Sequence, residues 1–473
     1  MKKYKYKYCV MAIFFVGLLG CAHYPINPGL DAHDVNAGYR FKNLTSTGNS
    51  DSLFVILTFS GGGTRAAALS YGVLKKLRDI EIEWKGKNRR LLDEVDVISS
   101  VSGGSFTAAY YALYGDGIFK DFETRFLKKD IQGALAKRLF YPTNWFRLAS
   151  PTYNRIDMAA EYYSEHIFDH GTFNNLLETG RRPYILINAT DMGLGSRFEF
   201  TQDQFDPICS NLAEFDIARA VAASSAFPVL LSPVTIKNYA GTCAYQEPGW
   251  VQNAMQDKYV APRRFNSAST VRSYQNITQR PFIHLIDGGV ADNIGLRGPY
   301  HALASTDSPW SVLRMINLEQ VEKVLVIVVN SKTDPDTTMD QKESAPGWKD
   351  VLMSVATKPM DNYSFETVEL LVESFKQWKK DYETVEFFKE VIKAIDPQHE
   401  LLNDPMFKVD YYAAVIGFDM LEDEDERHFF KNLPTTFKLP PGTIDRLRDV
   451  AARLLCKSKA FNDFLAESGT SCE

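Results

Sequence analysis

The chain has 473 residues, of which 45% are hydrophobic and 13% aromatic, so it can bury a large core as one elaborated domain or two. Its formal charge is −6. That acidic balance argues against a nucleic-acid partner and against an electrostatic grip of the whole protein on anionic lipid.

In chain order, Lys2, Lys3, Lys5 and Lys7 precede an apolar run over 10–19 that is too short to span a bilayer comfortably. Leu18-Leu19-Gly20-Cys21 follows and resembles the bacterial lipobox. The expectation is a signal peptide over 1–20, lipidation of Cys21, and a lipid-anchored place in the bacterial cell envelope, at the outer membrane. An ordinary secretory signal with an incidental cysteine is the plainer alternative. Loss of 1–20 removes four lysines and no acid, moving the charge to 49 − 59 = −10. Acyl chains on Cys21 then supply the membrane affinity that charge does not. Residues 21–52 are polar with Pro and Gly, and read as a tether.

Residues 53–59 (LFVILTF) form a continuous apolar run, the mark of a strand buried on both faces of a parallel sheet. The run ends in Ser60-Gly61-Gly62-Gly63-Thr64-Arg65 and enters a helix over 66–77. Glycines between strand and helix let backbone N–H groups converge on an anion. The stretch lacks the Gly-Lys-Ser/Thr ending of a nucleotide P-loop, so an oxyanion hole at Gly61, Gly62 and Gly63 is its better use. Residues 95–105 (VDVISSVSGGS) repeat the layout of strand, tight small-residue turn and helix. This is a nucleophile elbow in which Ser102 is pushed out above the sheet and a helix N-terminus lies beneath it. Ser100 stands where the G-x-S-x-G pattern has its first glycine.

Residues 114–183 read as helix-rich. Phe140, Tyr141, Trp145 and Phe146 cluster there, expected mainly as helix-packing core, with a lid touching lipid as the alternative. Residues 184–190 read as a strand with a hairpin-like return over 197–200, and 217–228 (IARAVAASSAFP) as a small-residue helix stopped by proline. Residues 238–280 carry no strong periodicity and read as a long loop. A strand over 281–286 runs into Asp287-Gly288-Gly289, placing a carboxylate where open α/β sheets keep their chemistry. Residues 324–330 form another buried strand, 350–395 are mostly helix, 413–418 read as a late strand and 444–455 as an amphipathic closing helix.

Cys209, Cys243, Cys456 and Cys472 are an even set for an oxidising compartment, and their spacing fits no zinc pattern. Of three possible pairings, the sequence-local one is expected: Cys209 with Cys243 and Cys456 with Cys472. Nothing in the sequence calls for a metal or cofactor: there is no HExxH, and 421–426 (LEDEDE) lacks calcium-loop spacing.

Five motifs in order make the sequence resemble the patatin-like phospholipase family: Gly61–Arg65, Val101–Gly104, Ala222–Pro228, Asp287–Gly289 and Leu433–Phe437. The resemblance implies a three-layer α/β sandwich with a mostly parallel central sheet and helices on both faces. It covers roughly 53–455, with insertions near 238–280 and 332–400 and a tail over 456–473. It also implies a lipid acyl hydrolase acting on phospholipid or another lipid ester through a Ser102–Asp287 dyad without histidine. Arg65 is expected to brace the glycine turn, meet a lipid phosphate, or pair with a neighbouring carboxylate. Two rival readings stand beside this one. A Ser-His-Asp esterase would recruit His301, His399 or His428, whereas His284 lies within a strand and reads as structural. A non-catalytic envelope scaffold would need neither Ser102 nor Asp287.

Overall fold

The computed structural model describes residues 22–44, 48–228, 231–304, 320–335, 337–396, 398–399, 402 and 408–472. Cys21 and the expected signal peptide lie outside them. Ten strands occur among the described residues: β1 (Leu53–Phe59), β2 (Glu81–Trp84), β3 (Lys87–Arg90), β4 (Val95–Val101), β5 (Tyr184–Asp191), β6 (Ser196–Glu199), β7 (Val234–Lys237), β8 (Phe282–Asp287), β9 (Lys323–Asn330) and β10 (Asp410–Gly417). Eight of them form one sheet in the order β10-β9-β1-β4-β5-β8-β7, with β6 also paired to β5, while β2 and β3 make a separate hairpin. The first five of that order are mutually parallel. β8 runs antiparallel to β5, and β7 antiparallel to β8.

The side-chain period of two sorts β1 between two cores. Val55, Leu57 and Phe59 face one apolar cluster, and Phe54 and Ile56 face the other. Three helices cover the first face: α1 (Gly63–Arg78), α2 (Gly103–Tyr114) and α3 (Ile217–Ser224). α4 (Arg297–Ala304) and the 48-residue α5 (Trp348–Ile395) cover the second through Tyr300, Leu303, Leu371 and Phe375. α6 (Pro441–Lys457) returns to the first face. The architecture is the three-layer α/β sandwich with a mostly parallel sheet.

Both expected ends of the domain are extended by packed chain. Residues 22–44 do not hang free: Tyr24, Asn27, Tyr39 and Leu44 are buried, and the Tyr39 ring stacks 4.8 Å from Tyr184. The Tyr39 hydroxyl accepts the Ile185 N–H at 2.9 Å, so this arm is fixed to β5. After α6, α7 (Lys459–Glu467) lays Phe464 against Tyr412 of edge strand β10, 5.6 Å between ring centres. The two disulfides join Cys209 to Cys243 and Cys456 to Cys472. Residues 238–280, expected as a loop, hold helices at Gly249–Ala254 and Pro262–Tyr274. Phe140, Tyr141, Trp145 and Phe146 are not core: each is more than half exposed.

Candidate active site

Ser102 sits between β4 and α2 with φ 49° and ψ −118°, a conformation an L residue adopts only under constraint. Close contact supplies the constraint. A Cβ on Gly103 would lie 2.0 Å from the Gly63 carbonyl oxygen, and one on Gly104 would lie 2.7 Å from Phe59. Only glycines let the elbow pass this near the glycine turn. Beneath it, the Ser102 N–H donates to the Ser224 hydroxyl at 2.8 Å. Ser224 Oγ also pairs with Ser105 Oγ at 3.0 Å, and Ser105 donates to Ser100 Oγ at 3.1 Å. Ser100 therefore belongs to a buried chain of hydroxyls under the turn, which a glycine could not join. Ser105 and Ser224 are supports of the turn that the sequence reasoning did not single out. A run of small residues is ambiguous until their hydroxyls are seen to meet.

Asp287 reaches the elbow by an unexpected route. β8 is antiparallel to β5, so its carboxyl end points away from the edge at which the parallel strands end. It overlaps only the last three residues of β5, with Ala189 opposite Asp287, while Val101 of β4 pairs with Asn188. The short overlap brings Asp287 level with Ser102. The Asp287 and Gly288 N–H groups donate to the Ala226 and Ser224 carbonyls at 3.0 and 3.1 Å. Thr190 Oγ1 donates to the Asp287 carbonyl at 2.8 Å. The end of α3 thus grips both the elbow and the aspartate.

The carboxyl group of Asp287 is buried and accepts the Gly289 N–H at 2.8 Å, and the Ser102 side chain is near enough to act on its protonation. Burial pushes its pKa from 3.8 up to about 7, and the Gly289 N–H and the Ser102 side chain pull the other way. No imidazole is among its hydrogen-bond partners. His284 is exposed and bonded to Thr235 across the β7–β8 pair, and His428 pairs with Asn432 at the end of the helix Glu424–Lys431. His301 faces Arg197, Arg263 and Arg297, and burial with those cations holds its pKa down near 4.

Of the three expected oxyanion donors, one is already used. The Gly61 N–H donates to the Asn293 carbonyl at 2.8 Å, and Thr64 N–H to the Thr436 carbonyl at 2.9 Å. Among the described residues, the N–H groups of Gly62 and Gly63 have no acceptor. Both glycines have positive φ, 137° and 60°, which turns successive N–H groups toward one side. Asn293 was also missed. Its Oδ1 lies where side chains on Gly61 or Gly289 would start, 2.5 and 2.8 Å from their Cβ positions, so it is wedged between the two motifs.

Among the described residues Arg65 has no direct ion pair with a carboxylate. It is buried, with Nε donating to the Ser331 carbonyl at 2.9 Å, Nη1 to the Leu433 carbonyl and Nη2 to Thr435 Oγ1 at 3.3 Å. Burial lowers its pKa to about 10, while Asp361 works to raise it. It ties the glycine turn to 331 and 433–435, which is its bracing role. Over the site lies α5: its Met360 is packed so closely on Gly289 that a Cβ there would be 2.4 Å from the methionine methyl.

The family model for patatin-like phospholipases matches residues 57–300, more than half of the chain and spanning the glycine turn, the elbow and Asp287. The chain belongs to the patatin-like phospholipase family. No curated protein matches it. Among solved structures, human GIVD cytosolic phospholipase A2 is similar to this patatin-like chain at 13% identity and a TM-score of 0.37, over 63% of this chain and 50% of that one. VipD from Legionella pneumophila is similar at 11% identity and a TM-score of 0.26, over 92% and 73%. The patatin-like chain therefore spans about half the length of the human phospholipase.

Proposed function

We propose that the chain is a lipid acyl hydrolase working through Ser102 and Asp287 and an acyl-enzyme. The observation that carries this reading is Ser102, held on a strained elbow, beside a buried carboxyl pushed up to about 7. Ser102 Oγ attacks the ester carbonyl carbon while Asp287 takes the hydroxyl proton. The oxyanion forms against the Gly62 and Gly63 N–H groups, each donor contributing about 3 kcal/mol. Collapse expels the alcohol, which leaves with the proton from Asp287, and the acyl group stays on Ser102. Water then attacks with Asp287 again as base, releasing a fatty acid and restoring the serine. A proton acceptor in this position is worth about 10²–10⁴ in rate.

Fatty-acid release from phospholipid vesicles and from a soluble short-chain ester tests the proposal. Ser102→Ala and Asp287→Asn each lower turnover by at least two orders of magnitude, and a fluorophosphonate labels Ser102 alone. Replacement of His284, His301, His399 and His428 singly leaves turnover within about tenfold. A histidine change as damaging as Ser102→Ala refutes the dyad.

The same proposal includes lipidation of Cys21 and an envelope location, supported by Leu18-Leu19-Gly20-Cys21. Fatty-acid labelling lost in Cys21→Ser is the expected result, and label retained in that variant overturns it.

A further inference from the structure

The turn and short helix around Pro142–Leu148 present apolar rings to solvent. Phe140 is 77% exposed, Tyr141 57%, Trp145 59% and Phe146 55%. Four large aromatics within seven residues form a contiguous patch of a kind that soluble surfaces avoid unless something binds there. The scaffold beneath is fixed. Asn144 is buried and donates to the Arg138 carbonyl at 2.7 Å, and Trp145 Nε1 donates to the Leu139 carbonyl at 2.6 Å. The Arg147 guanidinium is ion-paired with Glu161 and lies 4.2 Å from the Tyr153 ring centre. The rings are thus held outward on a braced turn.

Two further observations say what covers them. Residues 131–156 contain Lys137, Arg138, Arg147 and Arg155 and no acid, in a chain whose overall charge is −6. Arg138 and Arg147 are ion-paired with Glu165 and Glu161, which leaves the exposed Lys137 and Arg155 to complement phosphate groups. The chain also enters the structure at this place. The Ala22 carbonyl accepts hydrogen bonds from Ser150 Oγ and, at 3.1 Å, from Thr152 Oγ1, and Tyr24 N–H donates to the Thr152 carbonyl at 2.7 Å. Ala22 is thus held just past the end of the aromatic helix, and it follows Cys21, the expected lipid carrier, in sequence.

We infer that the Phe140–Phe146 turn is an interfacial docking surface for a phospholipid bilayer, seated beside the point at which the N-terminal chain leaves the domain. Rings with one apolar body and a polar tip settle at headgroup depth, and cations beside them meet lipid phosphate. A contact on the protein itself beside the expected anchor adds to the membrane affinity of the acyl chains and fixes the orientation of the domain. The surface is independent of the chemistry at Ser102 and is testable without any lipid on Cys21.

The experiment uses the full chain carrying Cys21→Ser and Ser102→Ala, so that neither acylation nor hydrolysis contributes. Flotation with phosphatidylcholine vesicles containing phosphatidylglycerol reads binding. The parent binds, and the combined Phe140→Ser, Tyr141→Ser, Trp145→Ser, Phe146→Ser variant binds at least about tenfold more weakly with an unchanged melting temperature. Trp145→Phe keeps binding and loses the part of the fluorescence quenching that lipids brominated in their acyl chains produce in the parent. With Ser102 restored, the four-serine variant hydrolyses vesicle lipid more slowly and a soluble short-chain ester at the parental rate. A parent that fails to bind, equal binding by parent and variant, or unaltered quenching in Trp145→Phe overturns the assignment. So does a change of oligomeric state in the variant without a change in vesicle binding, which would make the patch a contact between copies.

Discussion

Replacing Asp287 by asparagine tests the electrostatics of the site through stability as well as rate. Asparagine keeps the shape and the acceptor for the Gly289 N–H but cannot ionise. The native carboxyl titrates at about 7 against 3.8 when exposed, so the folded state holds its proton over that range while the unfolded chain has lost it. Such a group favours folding less and less as pH rises from 3.8 to about 7, and the lost stability levels off above that. At 1.36 kcal/mol per pKa unit, the burden of the buried charge is roughly 4 kcal/mol at pH 8 and less than half of that at pH 5. The stabilisation of Asp287→Asn over wild type therefore grows by roughly 2–3 kcal/mol between pH 5 and pH 8. Denaturant melts of both proteins at the two pH values give this double difference. Over the same range kcat/KM of the wild type rises with pH through about 7, because the base must be unprotonated, and the variant is inactive throughout. A stability offset independent of pH, or a rate profile that rises only near pH 4, refutes a carboxyl raised by burial.

Two other outcomes follow from the geometry. Ser224→Ala leaves the Ser102 N–H without its acceptor, at a cost of about 1–3 kcal/mol in stability. It lowers kcat by about tenfold or more with KM little changed, because the elbow shifts while the lipid-binding surface does not; unaltered kcat refutes the positioning role. Reduction of the Cys209–Cys243 bridge, which closes 34 residues, lowers stability by roughly 3–4 kcal/mol in the chain-entropy account, read from melts of Cys209→Ala/Cys243→Ala beside the parent.

Much of the sheet was legible because its central strands are buried on both faces. Residues 53–59 and 324–330 read as buried apolar runs and 184–190 as a strand, and the elbow and Asp287 follow directly from strands. Strand direction was not legible: a run ending in Asp-Gly-Gly reads alike in either orientation, and only pairing shows that β8 comes back along β5. The commitment of the Gly61 N–H to Asn293 was equally hidden, since it depends on a carbonyl far along the chain. Arg65 offered three roles because a buried guanidinium can be satisfied by carbonyls as well as by charges. The Phe140–Phe146 cluster was misjudged for a general reason: aromatic content signals burial on average, and a surface built to contact an apolar phase has the same composition as a core.

The end of α3 carries a consequence for how the site tolerates motion. Ser224 receives the Ser102 N–H on its hydroxyl and the Gly288 N–H on its carbonyl, so one residue is the common support of two groups far apart in sequence. Displacement of this peg, by breathing of the sheet or by strain passed along the helix, carries the proposed nucleophile and base in the same direction. Their separation responds to the difference between two movements, and a shared support makes that difference small. The proton transfer proposed between them would thereby be insulated from much of the thermal drift of the surrounding layers, as in an instrument whose two arms are bolted to a single post.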